Sequence, residues 1–196
     1  MGRTATFETG AVVRAARDLF WENGFDAASL PDLERATGLA RSSIYHAFGS
    51  KRGLFDAAVQ DYLDDVVRPS IAGLVAEGAP ADAIVDYLAH LDRVLARLTP
   101  TAKRSGCLLL ASTTGSIARD ETVRAVVDAY RAELRGALRA GLAARYPDLD
   151  ADLLDRRAVT LVSLVIAAHT LARVNPTEAR ATVAAATDTL DAWDGV

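Results

Sequence analysis

Ser29-Leu-Pro-Asp-Leu-Glu-Arg-Ala-Thr-Gly38-Leu-Ala-Arg-Ser-Ser-Ile-Tyr-His-Ala-Phe-Gly-Ser-Lys51 decides the fold. Two short helical patterns meet at Gly38. Ser29 reads as an N-cap, and Asp32, three residues on, makes a carboxylate variant of the capping box. Leu30, Leu33 and Ala36 recur at helical spacing and predict one apolar face. Gly38 suits the left-handed position that ends a helix. A second helix is expected from about Arg41 to Phe48, with Ile44, Ala47 and Phe48 buried. Its other face presents Arg41, Ser42, Tyr45 and His46, with Ser43 beside them, and carries no acid. Two helices joined by a short Gly-containing turn are a helix-turn-helix, whose second helix enters the DNA major groove.

Local charge agrees. No Asp or Glu lies between Glu34 and Asp56, whereas Arg35, Arg41, Lys51 and Arg52 do. The whole chain is formally −4 with a pI near 5.4. That global sum matters less than the field at the reading head, because salt screens charges beyond roughly 10 Å.

The flanking residues extend the pattern. Val12-Val13, Ala16, Leu19-Phe20, Gly24-Phe25, Ser29, Leu33, Ala36, Gly38-Leu39, Ile44-Tyr45, Phe48, Ser50-Lys51 and Leu54-Phe55 together resemble the tetracycline-repressor (TetR) family of bacterial regulators. The resemblance covers about Thr9 to Phe55; beyond that it is one of architecture. It implies a homodimer on a near-palindromic operator in double-stranded DNA, usually repressing, released by a small-molecule effector. Three positions depart from the family pattern. Ala40 stands where a Ser often caps the recognition helix, Glu34 where a small residue is usual, and Ala47 where an aromatic is frequent. The lost cap is expected to cost about 1 kcal/mol.

Composition fits an all-α protein of one or two small domains. The chain has 196 residues, 51% of them hydrophobic, which is long enough and apolar enough for a sizeable core. Its single cysteine excludes an internal disulfide framework and agrees with a reducing cytoplasmic setting. Neither a signal-peptide pattern nor an apolar run approaching the roughly 20 residues of a membrane span is present. A soluble, cytoplasmic protein is expected.

In chain order, Met1 to Glu8 reads as an arm with Arg3 its one base, either reaching a minor groove or frayed. Thr9 to Asn23 is the first helix, ended by Gly24. Ser50 caps a fourth helix with Lys51 at its first position, a seat for phosphate on the positive end of the helix dipole. That helix is expected to stop near Arg68, because Pro69 forbids a simple continuation. It is the natural lever between a DNA-reading unit of residues 1–50 and a second domain of residues 51–196. A break at Gly78 to Pro80 precedes a helix striped by Ile84, Leu88, Leu91, Leu95 and Leu98. His90 lies one turn after Asp86, the spacing of an exposed pair. After a basic connection from Pro100 to Ser105, an apolar segment with small hydroxyls runs from Cys107 to Arg119. Three long helices follow: Asp120 to Ala144, Asp150 to Val174, and an Ala-rich one opened by Asn175-Pro176 and reaching Trp193. The last two are expected to form the dimer interface as a four-helix bundle with their symmetry mates.

No metal signature, catalytic elbow, phosphate-binding Gly loop or Cys-x-x-Cys is present, so no cofactor is expected. A pocket needs apolar walls with a few convergent polar groups. Tyr87, Cys107, Thr113, Tyr130 and His169 are the candidates, with tight core packing as the alternative role of each. Basic residues do not cluster on these inner faces, so a neutral or weakly polar organic effector is expected. The DNA-facing candidates are Ser29, Arg41, Ser42, Ser43, Tyr45, His46 and Lys51. A helical protein-interaction module and a small helical enzyme are the readings from other classes; salt-dependent, sequence-selective DNA binding separates both from a regulator.

Overall fold

The computed structural model describes residues 9–98 and 106–195, and every regular element among them is helical. α1 (Thr9–Ala27), α2 (Leu30–Thr37) and α3 (Arg41–Phe48) form an N-terminal head. α4 (Lys51–Tyr62) leaves it. The body is α5 (Arg68–Val75), α6 (Ala83–Ala96), α7 (Leu108–Ala111), α8 (Glu121–Arg145), α9 (Ala151–Leu171) and α10 (Pro176–Asp194). The arm from Met1 to Glu8 and the connection from Pro100 to Ser105 lie outside the described residues.

The head is assembled from local signals around a small aromatic core. Gly24 adopts φ 76° and ψ 169°, which breaks α1 where the sequence predicts, and one further turn follows to Ala27. Phe55, from α4, meets Phe20 and Phe25 edge-on at 5.2 Å each. Leu33, Ile44 and Leu54 are fully buried beside them. Each such side chain contributes roughly 1.5–3 kcal/mol relative to exposure. α2 and α3 each commit one residue to full burial, Leu33 and Ile44. Ala36 and Ala47, expected on the buried faces, are exposed. Each helix has only eight residues, and a core this small is reached along one turn of each.

The lever does not stop at Pro69. α4 passes into a π-helical turn, Leu63–Val67, in which the Arg68 N–H reaches the Leu63 carbonyl, and α5 continues to Val75. Pro69 then falls in the first turn of α5, where a missing N–H costs nothing. The wide turn thus lets one helical run carry a proline from the head deep into the body.

In the body, α9 packs between α8 and α10. Leu154, Ala158, Leu161, Val162, Val165 and Ala168 are its buried stripe. It ends at Leu171, three residues short of the expected Val174, which is 84% exposed. α8 is N-capped by Asp120, whose side chain accepts from the Thr122 and Val123 amides at 2.9 and 3.1 Å. Asn175 caps α10 with Pro176 at its start, as the sequence predicts. At the far end Arg157 is buried between the Tyr146 and Trp193 rings, 5.0 and 4.8 Å away.

Two glycines test this packing with opposite signs. A Cβ on Gly53 would lie 2.0 Å from the Phe48 carbonyl oxygen, whereas one on Gly136 meets open space. Gly136→Ala is expected to stabilise by about 0.5–1 kcal/mol through helix propensity. Gly53→Ala is expected to destabilise by about 1–3 kcal/mol, because backbone must shift. Urea melts of both variants check this; equal signs would remove the close α3–α4 approach from the account.

Candidate nucleic-acid interface and the inner cavity

The reading surface starts from two capped helices. The Ser29 hydroxyl accepts the Asp32 N–H at 3.3 Å, and the Asp32 carboxylate accepts the Ser29 N–H at 3.2 Å, closing the capping box. Asp32 is held below the usual carboxylate range chiefly by its hydrogen bonds from Ser29. Gly38 sits at φ 70° and ψ 8° and hands its N–H to the Glu34 carbonyl. α3 then starts without help from Ala40, whose side chain makes no cap. The missing acceptor comes from α2: Glu34 Oε1 takes the Arg41 N–H at 2.6 Å. Two departures from the family pattern thus compensate one another.

α3 turns Arg41, Ser42, Tyr45 and His46 to solvent, with Ser43 half-buried. The Arg41 guanidinium rests over the Tyr45 ring at 5.4 Å and meets no carboxylate among the described residues. The other bases near the turn are engaged. Arg35 pairs with Asp32, and Arg52 pairs with Asp56 at 2.8 Å and with Asp120 at 2.5 Å. The Lys51 ammonium lies 4.5 Å over the Phe25 ring, where burial lowers its pKa and the nearby Asp26 charge opposes that. Ser50 caps α4 through the Gly53 amide at 3.0 Å. Lys51 therefore stands at the helix N-terminus as predicted, with its charge folded against the head.

Behind the head lies a cavity of about 130 Å³ walled by the lever (Tyr62, Val66, Val67, Ser70, Ile71), by α6 (Tyr87, His90, Leu91, Val94) and by Tyr130, Leu134 and His169. Among the described residues no Asp, Glu, Lys or Arg lines it. Three of the five residues singled out from sequence converge here: Tyr87, Tyr130 and His169. Burial raises the pKa of Tyr62, Tyr87 and Tyr130, so all three phenols are neutral donors. Burial lowers His169 to about 4, so its imidazole is neutral at physiological pH.

Cys107 is not on the wall. It is buried one layer back, in hydrogen-bond contact with the Tyr62 and Tyr130 side chains. Thr113 lies elsewhere: it is exposed, bonds back to the Leu110 carbonyl at 2.7 Å, and borders a surface groove with Arg124 and Arg131. α7 has only four residues, so the chain turns outward before Thr113 can face inward. Sequence reasoning missed Tyr62, although its stripe on α4 is legible. It also read His90 as half of an exposed pair with Asp86. Both residues are exposed as expected, and His90 also reaches the cavity wall and, with Asp86, Ser70 and Tyr87, borders an adjoining surface groove.

Head and body are also tied directly. Asp26 accepts the Ser116 N–H at 2.8 Å and is bonded by the Ser116 hydroxyl, contacts that lower its pKa. Trp21 of α1 meets Tyr62 edge-on at 4.9 Å. The Ser116–Arg119 turn thus grips the head on one side, and the cavity wall touches it on another.

Comparison with known proteins agrees with this architecture. Residues 12–58 match the family model described as bacterial regulatory proteins, tetR family. An uncharacterized HTH-type transcriptional regulator of Bacillus subtilis (strain 168), YezE, is 30% identical over 142 residues, 72% of either chain. The HTH-type transcriptional repressor ComR of Escherichia coli (strain K12) is 33% identical over 114 residues, 58% of this chain and 53% of that one. A cysteine mutant of the TetR family transcriptional regulator CifR, solved with double-strand operator DNA, is 30% identical. It covers 94% of this chain and 97% of its own, with a TM-score of 0.75. No described helix is long and apolar enough to cross a membrane. By its capped reading head, its body and these relatives, the chain belongs to the TetR family of DNA-binding transcriptional regulators.

Proposed function

We propose that this regulator is a cytoplasmic homodimeric repressor that leaves a near-palindromic operator when a small neutral molecule fills its inner cavity. Residues 1–50 read DNA and residues 51–196 bind effector and dimerise, with the first turns of α4 shared by both cores. One observation carries the reading. The helical run from Lys51 to Val75 begins in the head, under the reading helix, and further along walls a cavity that no charged side chain among the described residues lines. A ligand there alters DNA binding only if it favours one of two lever positions over the other. The ties from Tyr62 to Trp21 and from Asp26 to Ser116 transmit that preference. A twofold dimer places two α3 helices in successive major grooves, which requires a symmetric operator and makes head separation the controlled quantity.

The cavity selects by polarity as much as by volume. Tyr87 and a neutral His169 line it beside apolar side chains, while the Tyr62 and Tyr130 hydroxyls are engaged by Cys107 behind the wall, so an uncharged ligand with few polar atoms fits, and a multiply charged one does not. His169 also makes stability depend on pH. Its folded pKa lies below the roughly 6.5 of an unfolded histidine. The unfolded state then binds more protons between those values, so stability falls as pH drops from about 6.5 towards 4. His169→Phe is expected to flatten that window, by up to roughly 3 kcal/mol at its acid end, while leaving DNA binding at neutral pH intact and changing release by effector. Melts across pH 4–7, paired with operator-release assays, read both; an unchanged slope with unchanged release removes His169 from the cavity's function.

Dimerisation is assigned to the outer faces of α9 and α10. Val159 is 39% exposed on α9, and Thr160, Ser163, Ala181, Ala184 and Ala185 add small side chains on the two faces. Small side chains suit close helix–helix contact. Val159→Glu is expected to leave the fold intact and shift light scattering from dimer to monomer at micromolar concentration; a monomeric wild type would overturn the assignment.

For DNA, Arg41 is assigned to a base and Lys51 to phosphate, with Ser29 and Tyr45 also seated on the backbone and Ser42, Ser43 and His46 facing base edges. Arg41→Ala is expected to cost about 1–3 kcal/mol and to relax preference at one position per half-site. Lys51→Ala is expected to weaken all sequences alike and to lower the salt slope by about one. Binding selections from random DNA, repeated across salt concentrations, distinguish the two; swapped behaviours would exchange the assignments.

A further inference from the structure

The front of the recognition helix carries its own anion. The first amides of a helix, backed by its dipole, are the natural seat for a phosphate. In α3 that seat is occupied by Glu34, whose Oε1 accepts the Arg41 N–H at 2.6 Å. Ala40 offers no side-chain acceptor of its own. A Ser at position 40 would cap with a neutral hydroxyl and leave the helix end positive. Glu34 caps with a full negative charge, held half-buried by a chain path that reverses at Gly38. Its neighbours do not cancel it: Arg35 is paired with Asp32, and Lys51 lies over Phe25 beside Asp26. Arg41 is the one Arg or Lys of α3, and its guanidinium extends over Tyr45.

We propose that Glu34 is a specificity-determining residue, which fills the α3 N-terminus with a carboxylate so that DNA backbone is repelled at that end and the front of α3 is rewarded for contacts to base edges. The inference rests on the reading that α3 enters the major groove. A phosphate approaching the start of α3 meets like charge, whichever sequence it belongs to. A base edge meets Arg41, Ser42 and His46, which the carboxylate does not block. The charge therefore lowers non-specific affinity more than operator affinity, and the ratio between them rises.

Two variants separate this from a merely structural cap. Glu34→Gln keeps an oxygen acceptor for the Arg41 amide and removes the charge. Glu34→Ala combined with Ala40→Ser moves the cap to a neutral hydroxyl on the helix's own N-cap. Full-length wild type and both variants are titrated, across salt concentrations, with a pool of random-sequence duplex DNA and with the duplexes that the wild type enriches from that pool. Circular dichroism confirms folding. Both variants are expected to bind the random pool about five-fold more tightly than wild type. Their salt slopes should steepen by about one phosphate. Their operator-to-random ratio should fall. Folded variants with wild-type slopes and an unchanged ratio would overturn the inference, as would an equal gain on both DNAs. A wild type that shows no salt-dependent binding to any duplex would instead overturn the DNA-reading assignment beneath it.

Discussion

Phe55 is packed edge-on against Phe20 and Phe25 in the head, while Tyr62, Val66, Val67, Ser70 and Ile71, further along the same helical run, wall the cavity. Everything else in the molecule depends on that shared rod. Its first turns cannot move without disturbing a close-packed aromatic core, and its later turns cannot move without reshaping the cavity. Packed cores shift between discrete arrangements rather than deforming smoothly. In the proposed reading, a modest contact at Tyr62 or Val66 is therefore delivered to α3 as a rigid displacement.

Signals confined to a few neighbouring residues are legible in the sequence alone. The Ser29–Asp32 box, the left-handed Gly38, the break at Gly24 and the Asn175-Pro176 start all formed where composition and spacing place them. What stayed hidden depends on partners distant in sequence. The acid-free window from Arg35 to Phe55 suggested an unopposed basic surface. Helical spacing sets Asp32 and Asp56 against Arg35 and Arg52, folding adds the distant Asp26 and Asp120, and the Arg41 guanidinium is left without a carboxylate among the described residues. Glu34 and Ala40 looked like two separate departures from the family pattern, one costing a cap, until a single hydrogen bond joined them.

The cavity was half legible for a related reason. Tyr87, Tyr130 and His169 lie on long helices whose inward stripe fixes side-chain direction over many turns. Thr113 and Cys107 flank a four-residue helix, too short for periodicity to say which way they face. Their hydroxyl and thiol chemistry suited a pocket wall equally well from either side. Cys107 nonetheless touches two of the phenols, so it supports the wall without forming it.

The π-turn at Leu63–Val67 also fixes a phase. A π-turn is an α-helix with one residue too many, and each residue advances a helix by about 100°. The segments before and after it are thus wound out of register with one another, by an amount that a straight helix would not give. Tyr62 and Ile71 face the same hollow because of that offset, not because their spacing alone would align them. Removing a single residue from the turn would leave the rod about as long and as helical. It would nonetheless drive Pro69 back into a regular helix, where its missing N–H and its ring conflict with the preceding turn. The number of residues between the head and the hollow is therefore as strictly constrained as their chemistry.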